Sequence, residues 1–224
     1  ILAVGEPAEL LLAHPEADLL DAGGRAVLPG LVDPHTHLVW AGDRVDEFEM
    51  RLQGKSYMEI MAAGGGIAAT LHSTRAASFE ELLAQARERA RTAFAHGTTT
   101  LEAKTGYGLD IETELKQLEV ILKLDEEGPL ELIPTYLGAH AIPPEFADNA
   151  EGYTDFICNE AMPAVQAWWQ EHAPARALPF VDVFCEEGVF DLAQTRRILL
   201  RAQELGFPLK LHADEFANLG GASL

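Results

Sequence analysis

Two of the eight histidines, His35 and His37, stand two residues apart in the stretch Leu28-Pro29-Gly30-Leu31-Val32-Asp33-Pro34-His35-Thr36-His37-Leu38. On an extended strand successive side chains alternate between faces, so His35 and His37 share one face while Thr36 points the other way. Two imidazoles so placed can grip one metal ion. Far downstream, His212 is followed closely by two acids in Leu211-His212-Ala213-Asp214-Glu215-Phe216. A catalytic zinc-type site uses about three protein ligands and keeps a position for water, whose pKa falls from about 15.7 toward 7. His35, His37 and His212 could supply three nitrogens, with Glu215 close enough to hold a substrate or shuttle a proton. Each also has a plainer reading: an isolated His-x-His pair is more often structural, and His212 alone is a core histidine near a strand end.

The elements that would position these groups alternate along the chain. Ser78 with Glu81 forms a capping-box signature ahead of Leu82, Leu83, Ala86, Ala90 and Phe94 at helical spacing, with Gly97 as the stop. The β-branched run Thr98–Ala103 reads as a strand, and a second helix follows from about Glu112 to Glu127, closed by Gly128. Leu132–Leu137 is the next strand, about Thr154–Glu171 a helical region, and Val181–Cys185 a strand. Asp191 and Gln194 cap a fourth helix, and Leu209–His212 completes the series. Trp40–Thr74, with Gly54, Gly64, Gly65 and Gly66, is too irregular for one element and reads as a long loop of the kind that lines a site.

This alternation predicts an α/β fold with a parallel sheet. The polar clusters fall after strands, which favours a (β/α)8 TIM barrel, whose active sites lie at the C-terminal strand ends; a doubly wound sheet shares that property. About five β/α units are present, and from Leu31 onward the chain falls just short of the roughly 200 residues of the smallest barrels. It therefore reads as the front of a longer protein, with residues 31–224 a partial barrel. Residues 1–30, ending in Asp21-Ala22-Gly23-Gly24 before Arg25-Ala26-Val27-Leu28, read as a small, incomplete antiparallel β domain, part of a β-sandwich.

Thirty-six acidic against 16 basic residues, a formal net charge of −20, argue against a nucleic-acid partner, whose phosphates need a basic face. No apolar run approaches the roughly 18 residues of a membrane span, and no basic-then-apolar leader opens the chain, so a cytoplasmic location is expected and no membrane partner. Cys158 and Cys185 are too few for a disulfide framework and lie in or near apolar stretches, as buried free thiols do.

The His-x-His stretch followed by Ala41-Gly42-Asp43-Arg44 resembles the amidohydrolase superfamily. Glu102-Ala103-Lys104-Thr105-Gly106-Tyr107-Gly108-Leu109, Leu137-Gly138-Ala139-His140 and the segment around His212 narrow the resemblance to the imidazolonepropionase family, from roughly Leu19 to Leu224. That resemblance implies a (β/α)8 barrel holding one zinc or iron ion, and hydrolysis of the cyclic amide of 4-imidazolone-5-propanoate to N-formimidoyl-L-glutamate in histidine degradation. It implies His35, His37 and His212 as metal ligands, Arg44, Tyr107, His140 and Glu215 as groups that hold this small-molecule substrate, and Glu215 as a proton relay. A propanoate carboxylate needs a cation and hydroxyl donors, and an Arg fork can bind it bidentately. The family's further metal Asp and catalytic His are expected beyond Leu224, so the fragment alone is expected to be impaired. A homodimer is an expectation that no motif here carries. The competing readings are another amidohydrolase, such as a cyclic ureide hydrolase or an aminopurine deaminase, and a non-catalytic truncated barrel.

Plainer readings stand beside these roles: Arg44 as a solvated loop residue, His140 as support for a turn, Tyr107 as a packed loop anchor. Some amidohydrolases bridge two metals with a carbamylated lysine, but the family resembled here does not, which leaves Lys104 a structural residue or a charge behind the site. His14, His72, His96 and His172 fit surface positions or caps, and Glu186 and Glu187 carry no assigned role.

Overall fold

The computed structural model describes residues 2–56, 59–60 and 65–224. Five strands, β1 (Leu31–Asp33), β2 (Thr98–Lys104), β3 (Glu131–Ala139), β4 (Phe180–Cys185) and β5 (His212–Ala213), form one sheet in the order β1-β2-β3-β4-β5. Every neighbouring pair is parallel, in registers such as Asp33 opposite Leu101 and Thr135 opposite Phe180. Parallel neighbours need crossover connections, and helices supply them. After α1 (Pro7–Ala13), α2 (Val45–Leu52), α3 (Ile67–Ala76) and α4 (Phe79–Ala95) lie between β1 and β2, and α5 (Ile111–Glu127) between β2 and β3. Helices α6 (Ala150–Phe156) and α7 (Met162–His172) join β3 to β4, and α8 (Leu192–Glu204) joins β4 to β5. Among the described residues no helix is long and apolar enough to cross a membrane.

Both anticipated caps form. Ser78 Oγ accepts the Glu81 N–H at 3.2 Å while Glu81 Oε2 accepts the Ser78 N–H at 2.8 Å. Asp191 Oδ1 likewise accepts from Ala193 and Gln194, and Gln194 Oε1 reaches back to the Asp191 N–H. Between sheet and helices lie Tyr136, Tyr153, Ile157, Met162, Trp169 and Val183 in one apolar cluster, and Val39, Leu82, Leu101, Ile121 and Leu132 in another. These clusters lie on the face of the sheet that alternates with Glu102, Lys104 and Asp182. Both thiols, Cys158 and Cys185, are free and buried.

The sheet is strongly curled. Four strand spacings of about 4.8 Å would put β1 and β5 roughly 19 Å apart in a flat sheet, yet the rings of His35, after β1, and His212, in β5, are 4.5 Å apart. The five strands therefore make a half-barrel.

Several local expectations need correcting. The first strand is only three residues long, because Pro34 has no N–H to give the ladder, so His35 and His37 sit just past its end. The expected single helical region around Thr154–Glu171 is two helices joined by a π turn over Ile157–Ala161, where Pro163 can neither donate an amide nor pack against the preceding turn. The loop anticipated across Trp40–Thr74 contains α2 and α3; Gly64 lies outside the described residues. Where antiparallel β structure was expected before Leu31, the described residues form α1 and no strand. Pro7 at its first turn and the helix-forming Ala8-Glu9-Leu10-Leu11-Leu12-Ala13 explain it locally. None of α1 is buried, and Leu2, Val4, Leu12, Leu19 and Leu20 are exposed.

Candidate metal centre

The strand end that carries His35 and His37 is held from several sides. The Lys104 N–H donates to Thr36 O at 3.0 Å, and Thr36 Oγ1 donates to Glu102 O at 2.6 Å, which carries the β1–β2 alignment to three residues past Asp33. With Thr36 turned to β2, its neighbours face away from it. Beyond His37, Arg89 Nη1 caps the carbonyls of Leu38 and Trp40 at 3.1 and 2.9 Å, its guanidinium lying 3.5 Å over the Trp40 ring. Gln117 Nε2 donates to Val39 O at 2.7 Å, and Thr74 Oγ1 accepts the Ala41 N–H at 3.1 Å.

His35, His37 and His212 meet: one ring nitrogen from each lies within 4.8 Å of the others. His35 is exposed, His37 half-buried and His212 buried. His140 stacks on His37 at 4.8 Å between centroids, and Tyr107 lies 5.6 Å from His37 and 5.2 Å from His140. His140 Nδ1–H donates to Gly106 O at 2.9 Å, which leaves Nε2 as an acceptor. The loop bearing Tyr107 is shaped by Glu114, whose buried carboxylate accepts the N–H groups of Gly106, Gly108 and Leu109. Gly106 has φ +106°, and a Cβ there would sit 2.8 Å from Leu137 O and 2.9 Å from His140 Nδ1, so no other residue fits.

Two expected site residues stand outside this knot. Arg44 is exposed and donates from Nε to the buried Thr70 Oγ1 at 3.0 Å, with Glu47 Oε1 3.9 Å away. Its positive charge is still felt at the Tyr107 hydroxyl, whose pKa burial raises and Arg44 partly restores. Glu215 is exposed in the loop after β5. Neither is hydrogen-bonded or ion-paired to a histidine among the described residues. The Glu215 loop is nonetheless fastened: Glu186, after β4, accepts the N–H groups of Glu187, Phe216 and Ala217, and Asp214, at φ +57°, accepts those of Leu219, Gly220, Gly221 and Ala222. Glu186 and Glu187 also line a cleft of about 590 Å³ that contains none of the histidines. His14, His72, His96 and His172 are all exposed, and the last two bond carbonyls in the final turns of their helices.

Beneath the histidines lies a buried ionic layer that the motifs did not reveal. Lys104 Nζ donates to Glu102 Oε1 at 2.8 Å and to Asp182 Oδ2 at 2.7 Å. Glu102 Oε1 also takes Lys210 Nζ at 2.5 Å and the Thr135 hydroxyl at 2.6 Å. Lys104 is thus the charge behind the site, saturated by two carboxylates. Asp182 Oδ2 is 2.8 Å from His212 Nδ1, although off the line of an N–H bond, since that nitrogen has no aligned partner. A sequence signal existed: Glu102 and Lys104 share one face of a strand, and Asp182 sits between Val181 and Val183.

The electrostatics disfavour a proton on His35, His37 and His140. Burial, reinforced by the neighbouring His140 and His212, pushes His37 down to about 2, and burial pushes His140 down to about 4. His35 is lowered by burial and then by His212 and Lys104. Burial would raise Asp182, but His212 and Lys104 outweigh it and hold the carboxyl near 2. Metal ligation demands unprotonated imidazoles. Three convergent imidazoles, with His35 and His37 held below their ordinary pKa and Nδ1 of His37 buried without a partner, therefore fit a metal ion.

Comparison with known proteins agrees with the motifs. The chain is 53% identical over 224 residues to an imidazolonepropionase of Herpetosiphon aurantiacus, with 100% of this chain and 52% of that protein covered. An imidazolonepropionase of Chloroflexus aggregans is 51% identical over 226 residues, covering 100% of this chain and 53% of the relative. For that of Symbiobacterium thermophilum the identity is 50% over 227 residues, with 100% and 52% covered. The chain spans about half the length of the curated relatives it matches. No family model matches it.

Proposed function

We propose that this chain, similar along its whole length to imidazolonepropionases, carries part of the active site of a metal-dependent hydrolase that opens the cyclic amide of 4-imidazolone-5-propanoate to N-formimidoyl-L-glutamate. The observation that carries the reading is the meeting of His35, His37 and His212 from opposite ends of a curled parallel sheet. A zinc or iron ion held by these three imidazoles supplies Lewis acidity and lowers the pKa of water. His140, held as the Nδ1–H tautomer by Gly106 O, offers Nε2 as acceptor to a ring N–H of the substrate. Tyr107, kept protonated by its burial, donates its hydroxyl to the substrate, and Arg44, whose charge reaches Tyr107, binds the propanoate carboxylate. Glu215, on a loop fastened by Glu186 and Asp214, contacts the ring and relays a proton.

The same reading takes the half-barrel as part of a (β/α)8 barrel spanning residues 31–224 and more, with residues 1–30 belonging to a separate small domain. A cytoplasmic location and a homodimer go with it; light scattering on the purified protein decides the second.

The test is metal content and turnover in the full-length protein carrying this sequence. His212→Ala is expected to lose both the bound metal and activity toward imidazolonepropionate. Full metal occupancy in that variant would remove His212 from the ligand set. Opening of hydantoins, or ammonia release from aminopurines, with imidazolonepropionate untouched would overturn the substrate assignment.

A further inference from the structure

Asp182 is 1% exposed, on a strand whose flanking residues Val181 and Val183 are also buried. A carboxylate in such surroundings is costly unless it is paired and hydrogen-bonded, and an apolar residue of similar volume often serves stability as well or better. Its one saturated oxygen, Oδ2, lies between Lys104 Nζ at 2.7 Å and His212 Nδ1 at 2.8 Å. Lys104 already has Glu102, and Glu102 has Lys210 and Thr135 as well. Lys104 therefore does not need Asp182 for neutrality, whereas His212 has no other acceptor for its Nδ1 side among the described residues.

We infer that Asp182 is a positioning residue for His212: anchored by Lys104, its carboxylate takes the Nδ1 side of the imidazole and leaves Nε2 for the metal. The inference rests on the metal reading above. The reach that an Nδ1–H···Oδ2 bond needs is already met at 2.8 Å, and what the contact lacks is alignment. Lys104 is the second half of the device, because it donates to the same oxygen that lies 2.8 Å from the imidazole and holds that oxygen in place. His35 and His37 have backbone anchors through Thr36, Leu38 and Val39. His212 lies on a two-residue strand, and the side chain of Asp182 gives it a comparable hold.

The experiment uses zinc as the probe on metal-stripped full-length protein. Asp182→Asn removes the carboxylate. The double variant Asp182→Asn, Lys104→Gln also removes one positive charge, so the layer stays balanced and the fold is kept. Zinc affinity is measured by competition with a chromophoric chelator, stability by thermal unfolding, and the His212 tautomer by ¹⁵N NMR of the imidazole. Both variants are expected to bind zinc about 10–100-fold more weakly, with His212 no longer held as the Nδ1–H form, while the double variant unfolds near the wild-type temperature. A folded double variant with wild-type zinc affinity would reduce Asp182 to a core ion-pair partner and overturn the inference alone. Wild-type protein that takes up no zinc would overturn the metal reading and this inference with it.

Discussion

At the rim of the half-barrel, His35, His37, His140 and His212 crowd together, the first three with a lowered affinity for a proton; deeper along the same strands, Glu102, Lys104, Asp182 and Lys210 place four charges in contact. The two layers answer burial in opposite ways. The histidines escape the cost of desolvation by giving up protons, as the lowered pKa values of His35, His37 and His140 express. The deeper groups keep their charges and cancel them pairwise. A ligand site needs the first solution, since a protonated imidazole cannot bind metal. The second gives rigidity beneath it, because each charge is useful only where its partners are.

The comparison breaks most visibly if one deep partner is deleted. Lys104→Met leaves two buried carboxylates without their shared cation, and loss of one member of a buried pair costs about 3–5 kcal/mol. Denaturant unfolding should show that loss, and a change below 1 kcal/mol would mean that water reaches the layer. Acid should separate the layers next. A histidine with a depressed folded pKa takes up its proton more readily when unfolded, so its stabilising contribution is intact above the unfolded value near 6.5 and declines as the pH falls below it. For His37 that window runs from 6.5 down to about 2, and for His140 from 6.5 to about 4. Asp182 contributes above its unfolded value of 3.8 and is lost only between there and about 2. Metal-free protein should therefore weaken by roughly 1 kcal/mol per pH unit for each buried histidine between about pH 6 and 4, before the ionic layer titrates. A flat stability profile over that interval, followed by one collapse below pH 4, would contradict the division. The smallest effect on stability is expected at the exposed edge. Arg44→Ala should change unfolding by less than about 0.5 kcal/mol and mainly raise KM, with kcat nearly kept; an equal fall in kcat and kcat/KM would give Arg44 a part in the transition state instead.

Much of this architecture was legible in advance, and particular residues show why. Ser78 with Glu81 and Asp191 with Gln194 start their helices through contacts that span three residues. The β-branched run before Lys104 and the glycines at 97 and 128 mark element ends on the same short scale. The His-x-His spacing, and the motifs around Tyr107, His140 and His212, likewise identify candidate ligands within single segments. Elsewhere local preferences compete: Pro34 cuts the first strand short, Pro163 widens a turn of helix, and residues 7–13 form a helix although the turn residues nearby favour hairpins.

By itself, then, the sequence determined the alternation of strands and helices from Ser78 onward and which histidines are available, because those signals are written in neighbours along the chain. Only the tertiary structure decided that His35 reaches His212, that Lys104 sits between Glu102 and Asp182, and that the Glu215 loop is tied to Glu186. The curl of the sheet makes those contacts, and it arises from the packing of all five strands together.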